Sequence, residues 1–387
     1  MPARRSCASK VAAPSKRRTL GKSSNESLGR RIEQLIAPEI RALSAYAVAD
    51  ARGLIKLDAM ENPYAWPKEL EDAWHERLRV VELNRYPDPR ARELKSRLRE
   101  VMAIPAAAEL LLGNGSDELI QLLVLAVGGA GSVVLAPDPS FAMYALVSRV
   151  TGRRFVNVAL DESNFDLRLE ATLEAIREHQ PALSFFAFPN NPTGNLFAIE
   201  HLDAILDAAS GLVVIDEAYA PFAGTSYLPQ IENRENLLVL RTVSKLGLAG
   251  LRLGVLAGAP AWIEQLDKLR LPYNLNVLTQ VTAELALSRY DLFERQTRQI
   301  VRDRDDMYAS LEAMPGVQVW PSKANFVLVR TSPGSGTKTV EALRARGILV
   351  KNFDGSSPLL RDCMRVTVGR PEENAAFLEA LEGAISS

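Results

Sequence analysis

The chain has 387 residues, 47% of them hydrophobic and 24% charged, with a formal net charge of -1. This is more chain than one core fills, so two domains are expected, with the composition of an ordinary soluble globular protein. There is no apolar run of about 18 residues, only two cysteines (Cys7 and Cys363), and three histidines without ligand spacing (His75, His179 and His201), which exclude a spanning helix, a disulfide scaffold and a zinc or non-haem iron centre.

Residues 1–31 hold nine Lys or Arg and one acidic residue, Glu26. Residues 1–30 therefore read as a disordered basic tail, with polyanion binding or targeting as alternatives. The rest of the chain carries 37 basic and 46 acidic residues. That mildly acidic body exerts no overall pull on nucleic acid.

Residues 32–47 predict a short amphipathic helix broken near Pro38, followed by an extended piece, IKLDAMENPY, that turns at Asn62-Pro63. Helices are predicted over 68–79 and 90–102. Between them the two prolines of NRYPDP, residues 84–89, forbid regular structure. From residue 109 a repeating pattern sets in. Strands are predicted at 110–112, 132–136, 154–159, 183–188, 212–216, 236–242 and 252–258, and helices at 119–127, 141–149, 169–178, 198–209 and 260–270. Apolar strands alternating with helices predict a mostly parallel sheet covered on both faces, with ligands gathered at the carboxyl ends of its strands. One long helical region is predicted over 277–313. A compact α+β unit follows, with strands at 325–330, 348–350 and 364–368 and helices at 338–346 and 371–383. The turn TSPGSGTK, residues 331–338, lacks the spacing of a nucleotide phosphate loop.

The polar motifs sit at the predicted strand ends. Ser244-Lys245 follows an apolar strand, and Arg252 lies seven residues on, across the glycine-rich LGLAGLRLG. A lone lysine there could be a solvated surface residue. Paired with an arginine, it suits a cofactor with an aldehyde and a phosphate, because a Schiff-base amine must be near neutral and desolvation with nearby cations favours that state. Asp216 closes the strand LVVID. It could cap a turn, or keep the nitrogen of a pyridine ring protonated. Tyr219, and Asn191 in NNPTG, could each donate to an oxygen on such a ring. In GNGSDE, residues 113–118, Gly115 permits close backbone approach, Ser116 offers a hydroxyl and the helix start offers free N–H groups, a cradle for one phosphate. Asp117 reads as a helix cap there. Phe141, after PDPS, could stack on a flat ring or belong to the core.

Together, DAMENPY, NRYPDP, GNGSDE, PNNPTG, IDEAY, SKLGLAGLRLG, PYNLN, KANF and MRVTVG, in this order, resemble the fold-type-I aminotransferases that use pyridoxal phosphate, and more narrowly the histidinol-phosphate aminotransferase family. The resemblance covers about residues 35–385. It implies an α/β fold with a mostly parallel central sheet and a smaller α+β domain. It divides the chain into an N-terminal arm with part of the small domain at 31–75, a large cofactor domain at 76–275, and an interdomain helix with the small C-terminal domain at 276–387. It implies that Lys245 forms the Schiff base with the cofactor and moves the proton, that Asp216 pairs with the ring nitrogen, and that Tyr219 and Asn191 hold the ring oxygen. Ser116, Ser244, Arg252 and the amides after Gly115 would bind the phosphate, with Asp117 beside them and Phe141 stacking on the ring. Tyr86 would reach the cofactor phosphate of the other subunit in a homodimer. Arg365, Tyr46, Asn62 and Asn191 would contact substrate. Lys351 stands where many relatives carry arginine and supplies a point charge in place of a bidentate fork.

The implied reaction is transamination between L-histidinol phosphate and 2-oxoglutarate in the cytoplasm, with no nucleic-acid or membrane partner. An aromatic amino acid aminotransferase and a threonine-phosphate decarboxylase share the scaffold and remain alternatives. A transcription regulator built on this fold would need a DNA-binding domain that some 30 tail residues cannot form.

Overall fold

A computed structural model describes residues 22–45 and 48–385 of the chain. Its contacts group into two units, Met1–Val48 and Ala49–Ser387. In the first, α1 spans Lys22–Leu35 and α2 spans Pro38–Arg41. The break at Pro38 agrees with the sequence. The helix, however, begins within the span expected as an irregular tail. Lys22–Leu35 contains no proline, and Leu28, Ile32 and Leu35 recur on one helical face. Residues 1–21, and the expected substrate residue Tyr46, lie outside the described residues.

The second unit contains two sheets. Its strands are β1 Ile55–Leu57, β2 Glu109–Asn114, β3 Val133–Asp138, β4 Arg154–Ala159, β5 Leu183–Ala187, β6 Leu212–Asp216, β7 Leu237–Thr242, β8 Leu253–Gly258, β9 Gln318–Val319, β10 Phe326–Arg330, β11 Ile348–Asn352 and β12 Cys363–Thr367. The large sheet runs β2-β8-β7-β6-β5-β3-β4 and is parallel except for β8, which is antiparallel to both neighbours. The small sheet runs β1-β11-β12-β10-β9. β1, from the N-terminal side of the large sheet, joins it by parallel pairing with β11.

Both faces of the large sheet are covered, and strand alternation shows it. Val213 and Ile215 of β6, with Leu237 and Val239 of β7, enter one core. Their neighbours Val214, Leu238 and Leu240 enter the other. These strands are apolar up to their carboxyl ends because neither face meets water, and truncating one such leucine to alanine costs about 2–5 kcal/mol.

The helices that matter for the site are α3 Lys68–Arg79, α4 Arg92–Val101, α5 Gly115–Ala126 and α6 Met143–Val150. The region expected as one helix from 277 is two, Val277–Leu287 and Tyr290–Glu312. The Ser288 hydroxyl donates to the Leu285 carbonyl at 2.7 Å and closes the first. No helix among the described residues is long and apolar enough to cross a membrane. The carboxyl ends of β2, β3, β5, β6 and β7, and the start of β8, all face one edge of the large sheet. In such sheets that edge is where ligands bind.

Candidate active site

A cavity of about 360 Å³ opens at that edge. Ser116, Asp117, Phe141, Asn191 and Asp216 line it, as do Tyr219, Ser244, Lys245 and Arg252. Nine of the residues singled out in the sequence, from five strand ends, therefore share one chamber.

The chain folds tightly at both sides of its anion-attracting end. Ser244-Lys245 lies in a 3-10 turn, where the Thr242 hydroxyl accepts the Ser244 N–H at 3.1 Å and donates to the Leu253 carbonyl at 2.9 Å. Arg252 reaches over Gly115, at which a Cβ would stand 2.5 Å from Arg252 Nη2. The backbone there has φ +79°, in the left-handed region glycine occupies at little cost. Gly254 lets β8 press against the same turn, since its Cβ would meet the Gly115 carbonyl at 2.5 Å. Asp117 turns to Arg252, accepting from Nη2 at 3.2 Å. It is Glu118 whose carboxylate accepts the Asn114 N–H at the helix start, at 2.6 Å. The cap expected of Asp117 is thus supplied one residue later, because the arginine offers Asp117 a charged partner. The Ser116 and Ser244 hydroxyls, the start of α5 and the Arg252 guanidinium converge as an anion cradle.

At the other end Asp216 is buried. Oδ2 accepts from the Tyr144 hydroxyl at 2.6 Å and Oδ1 from the Ala218 N–H at 3.0 Å. Burial pushes its carboxyl up to about 6, while those two donors pull the other way. Between the two ends stands Lys245, whose Nζ donates to the Ala59 carbonyl at 3.2 Å. Desolvation first, then the Arg365 and Arg252 charges, bring its amine down to about 8.

A relay crosses the chamber beside the lysine. Arg365 Nη1 donates to Asn191 Oδ1 at 2.5 Å, and Asn191 Nδ2 donates to the Tyr219 hydroxyl oxygen at 3.1 Å. The Tyr219 proton is then left to point into the cavity. Arg365 lies between the rings of Phe326 and Phe353, 5.3 Å from each centroid, and its Nη2 donates to the Asp58 carbonyl at 2.8 Å.

Other expected residues sit elsewhere. Asn62 binds the loop that carries Lys245, donating to the Leu246 carbonyl at 2.8 Å and to Gln296 Oε1 at 2.9 Å. Lys351 stands across from Arg365 in the β11–β12 register. Tyr86 is 79% exposed and stacks on Tyr273 with centroids 4.3 Å apart.

The sequence reading missed three features. Tyr144 sits one helical turn after Phe141, a spacing that could have shown it. The backbone of Asp58–Met60 forms a wall of acceptors, and nothing in those side chains signals it. Glu217 and Arg241 form a buried ion pair, 2.7 Å from Nη2 to Oε2, whose carboxylate also accepts from Tyr227 N and Ser226 Oγ. This pair pins the turn that follows Asp216.

The chamber thus offers an anion cradle, a partly neutral amine, a buried carboxylate and a flat aromatic face at Phe141. These fit a planar cofactor with an anionic arm, an aldehyde and a ring nitrogen that carries a proton. Among the described residues no cluster of His, Cys, Asp or Glu is placed to hold a metal ion.

Residues 52–381 match the family described as aminotransferase class I and II. A histidinol-phosphate aminotransferase 2 from Nitrosococcus oceani is 55% identical over 352 residues, which cover 91% of this chain and 98% of that protein. A histidinol-phosphate aminotransferase 1 from Ralstonia nicotianae is 50% identical, over 93% of this chain and 96% of that one. Among solved structures, a histidinol-phosphate aminotransferase from Sinorhizobium meliloti in complex with pyridoxal-5'-phosphate superposes with a TM-score of 0.79 at 25% identity, covering 91% of this chain and 98% of that one. The chain belongs to the class I and II aminotransferases, and within them to the histidinol-phosphate aminotransferase family.

Proposed function

We propose that the chain moves an amino group between L-histidinol phosphate and 2-oxoglutarate, in the cytoplasm, with pyridoxal 5'-phosphate carried on Lys245. The observation that supports this most is the shared chamber: a depressed lysine amine between an anion cradle and a buried carboxylate, beside an arginine-linked Asn–Tyr pair. The names of relatives about half identical over more than nine-tenths of the chain support the substrate. The cofactor bound by the Sinorhizobium meliloti relative supports the cofactor.

Bound pyridoxal phosphate supplies an aldehyde carbon for the amino group and a protonated ring that takes up the electron pair left when the substrate Cα–H bond breaks. Ser116, Ser244, Arg252 and the amides after Gly115 hold the phosphate, and Asp117 orients Arg252 toward it. Asp216 keeps a proton at the ring nitrogen. Tyr219 donates its hydroxyl proton to the ring oxygen, since its oxygen already accepts from Asn191. Phe141 covers the ring face. Lys245 Nζ, whose ammonium form burial and the Arg365 and Arg252 charges disfavour, would take the proton from the substrate Cα and deliver it to the cofactor's aldehyde carbon, two atoms along. Arg365 binds the glutamate carboxylate in one half of the cycle and the phosphate of histidinol phosphate in the other. Lys351, beside it across the strand pair, adds positive charge, and Tyr46 and Asn62 complete the substrate side.

We also propose that the working unit is a homodimer. Val80, Leu83, Tyr86 and Leu271 are exposed apolar side chains at or near the NRYPDP loop and its Tyr273 partner. A two-fold contact there would cover them and place each Tyr86 at the other subunit's cofactor phosphate.

The deciding experiment is a half-reaction. Purified protein loaded with pyridoxal phosphate is mixed with histidinol phosphate, histidinol, phenylalanine or threonine phosphate, and the cofactor spectrum is followed. The reading requires rapid conversion with histidinol phosphate. Faster conversion with phenylalanine, or release of carbon dioxide from threonine phosphate, overturns it.

A further inference from the structure

We propose that Tyr144 is a positioning residue for Asp216, whose hydroxyl, donated to Oδ2 at 2.6 Å, orients the carboxylate and keeps the shared proton on the cofactor's ring nitrogen. This rests on the cofactor reading above and deepens it.

The hydroxyl is held in place from several sides. Tyr144 is fully buried on α6. Its ring lies parallel to Phe185 at 5° and 4.6 Å, and the Ser148 hydroxyl donates to its backbone carbonyl at 2.7 Å. Phe141, which lines the cavity, meets the Tyr144 ring edge-on at 5.6 Å. The turn that leads into α6 therefore presents an aromatic face to the chamber and a hydroxyl to the carboxylate at its end. A phenylalanine would fill the same stack on Phe185. What the tyrosine adds is one hydrogen bond to a charged group.

That bond has a chemical consequence. One proton lies between two bases, the ring nitrogen and the Asp216 carboxylate. If the carboxylate became the stronger base, the proton would move to it and the ring would be neutral, so it would no longer draw electrons. Burial, together with the negative charges of Asp117 on α5 and of neighbouring Glu217, drives the carboxyl in that direction. Glu217 is itself paired with Arg241. The Tyr144 hydroxyl and the Ala218 N–H oppose the drift. Lys245, Arg252 and Tyr219 line the same cavity. Desolvation and the adjacent carboxylate hold the Tyr144 hydroxyl well above its usual range, so it remains a donor throughout the working pH.

The test begins with the cofactor-free protein, by infrared titration of the buried carboxyl. The band that disappears in Asp216→Asn reports Asp216. Its midpoint is expected near 6 in the native chain. In Tyr144→Phe it is expected at least about one pH unit higher, because a hydrogen bond to a charged group has been removed. In the holoenzyme, Tyr144→Phe is expected to slow kcat about tenfold or more, with KM for the amino donor little changed. If Tyr144→Phe does not fold, 3-fluorotyrosine placed at position 144 keeps the shape and is a better donor, and it should move the midpoint below the native value. An unchanged midpoint in a chain that binds pyridoxal phosphate overturns the coupling alone. A shifted midpoint in a chain that binds no pyridoxal phosphate overturns the cofactor reading and leaves the Tyr144–Asp216 coupling standing.

Discussion

Arg365 in the small sheet and Asn191 after β5 of the large sheet are joined by a 2.5 Å hydrogen bond from Nη1 to Oδ1. Guanidinium only donates, so this contact fixes which end of the amide faces which neighbour. The Asn191 NH2 must then face Tyr219, as it does at 3.1 Å. Arg365 thereby sets the donor geometry at Tyr219, and this amide is one of several links between the two sheets, with the Ser357 hydroxyl donating to Asp138 Oδ2 at 2.9 Å as another.

Arg365→Ala is expected to lower kcat/KM for glutamate and for histidinol phosphate by about 10- to 150-fold each, the loss of a charge-assisted contact at about 1.5–3 kcal/mol. Because Asn191 also loses its anchor, part of that loss is expected in kcat rather than KM. Steady-state kinetics on both substrates is the check. Native values for either substrate would remove Arg365 from the substrate side.

Lys245→Met is expected to abolish turnover and also to stabilise the cofactor-free chain. The folded-state amine lies at about 8, below its ordinary value of 10.5, so the folded protein disfavours the ammonium. The cost is fully present below pH 8 and fades as pH rises from 8 toward 10.5, where the unfolded chain also gives up its proton. The methionine variant should therefore be more stable than native at pH 7 by on the order of a few kcal/mol, with the gap closing near pH 10. Chemical denaturation at both pH values tests this. A gap that is constant with pH would mean that the lysine is not desolvated as described. Borohydride reduction of the holoenzyme should place the cofactor label on the Lys245 peptide, and a label elsewhere overturns the attachment.

Asp216→Asn is expected to fold and to bind cofactor, yet slow Cα–H cleavage roughly hundredfold or more, since a neutral amide cannot keep the ring nitrogen protonated. Single-turnover rates with deuterated donor measure the step directly, and near-native rates would exclude the role. The fold should survive because the turn after Asp216 is pinned independently by Glu217 and Arg241.

Much of this site was legible because each polar motif ended an apolar strand, and parallel sheets gather such ends at one edge. Lys245, Asp216, Asn191, Tyr219 and Arg252 all fell into one cavity for that reason. The periodicity that placed β6 and β7 needs only local sequence. What the sequence left hidden depends on packing between distant segments. The Asp58 and Ala59 carbonyls serve Arg365 and Lys245 through the backbone, which no side-chain motif records. The Asn62 amide binds Leu246 and Gln296, more than 180 residues away in sequence, contacts that no local motif records. Asp117 looked like a cap because caps are local, whereas its partner Arg252 is 135 residues on.

Tyr86 gives the last prediction, that each active site is completed by the other subunit. Within one chain Tyr86 is 79% exposed, stacked on Tyr273 and absent from the lining of its own cavity. An aromatic hydroxyl kept at the surface beside exposed Leu83 and Leu271 suits a contact with a second copy. A two-fold axis makes the exchange reciprocal, so one symmetric interface serves both cavities. The test is complementation between Tyr86→Phe and Lys245→Ala under conditions that exchange subunits, with exchange verified by mass labelling. If Tyr86 acts across the interface, each heterodimer contains one site with both defects and one site with neither, and native single-site turnover emerges from two impaired parents. If it acts within its own chain, every heterodimer site carries one defect and no native turnover emerges. Tyr86→Phe is expected to be the milder parent, losing about 1 kcal/mol of cofactor-phosphate binding, or roughly fivefold in cofactor affinity. Cofactor affinity is therefore measured alongside turnover, at limiting pyridoxal phosphate, where a fivefold difference is visible. Activity equal to the average of the exchanged parents would count against the shared site, and a fully active monomer in sedimentation would end it.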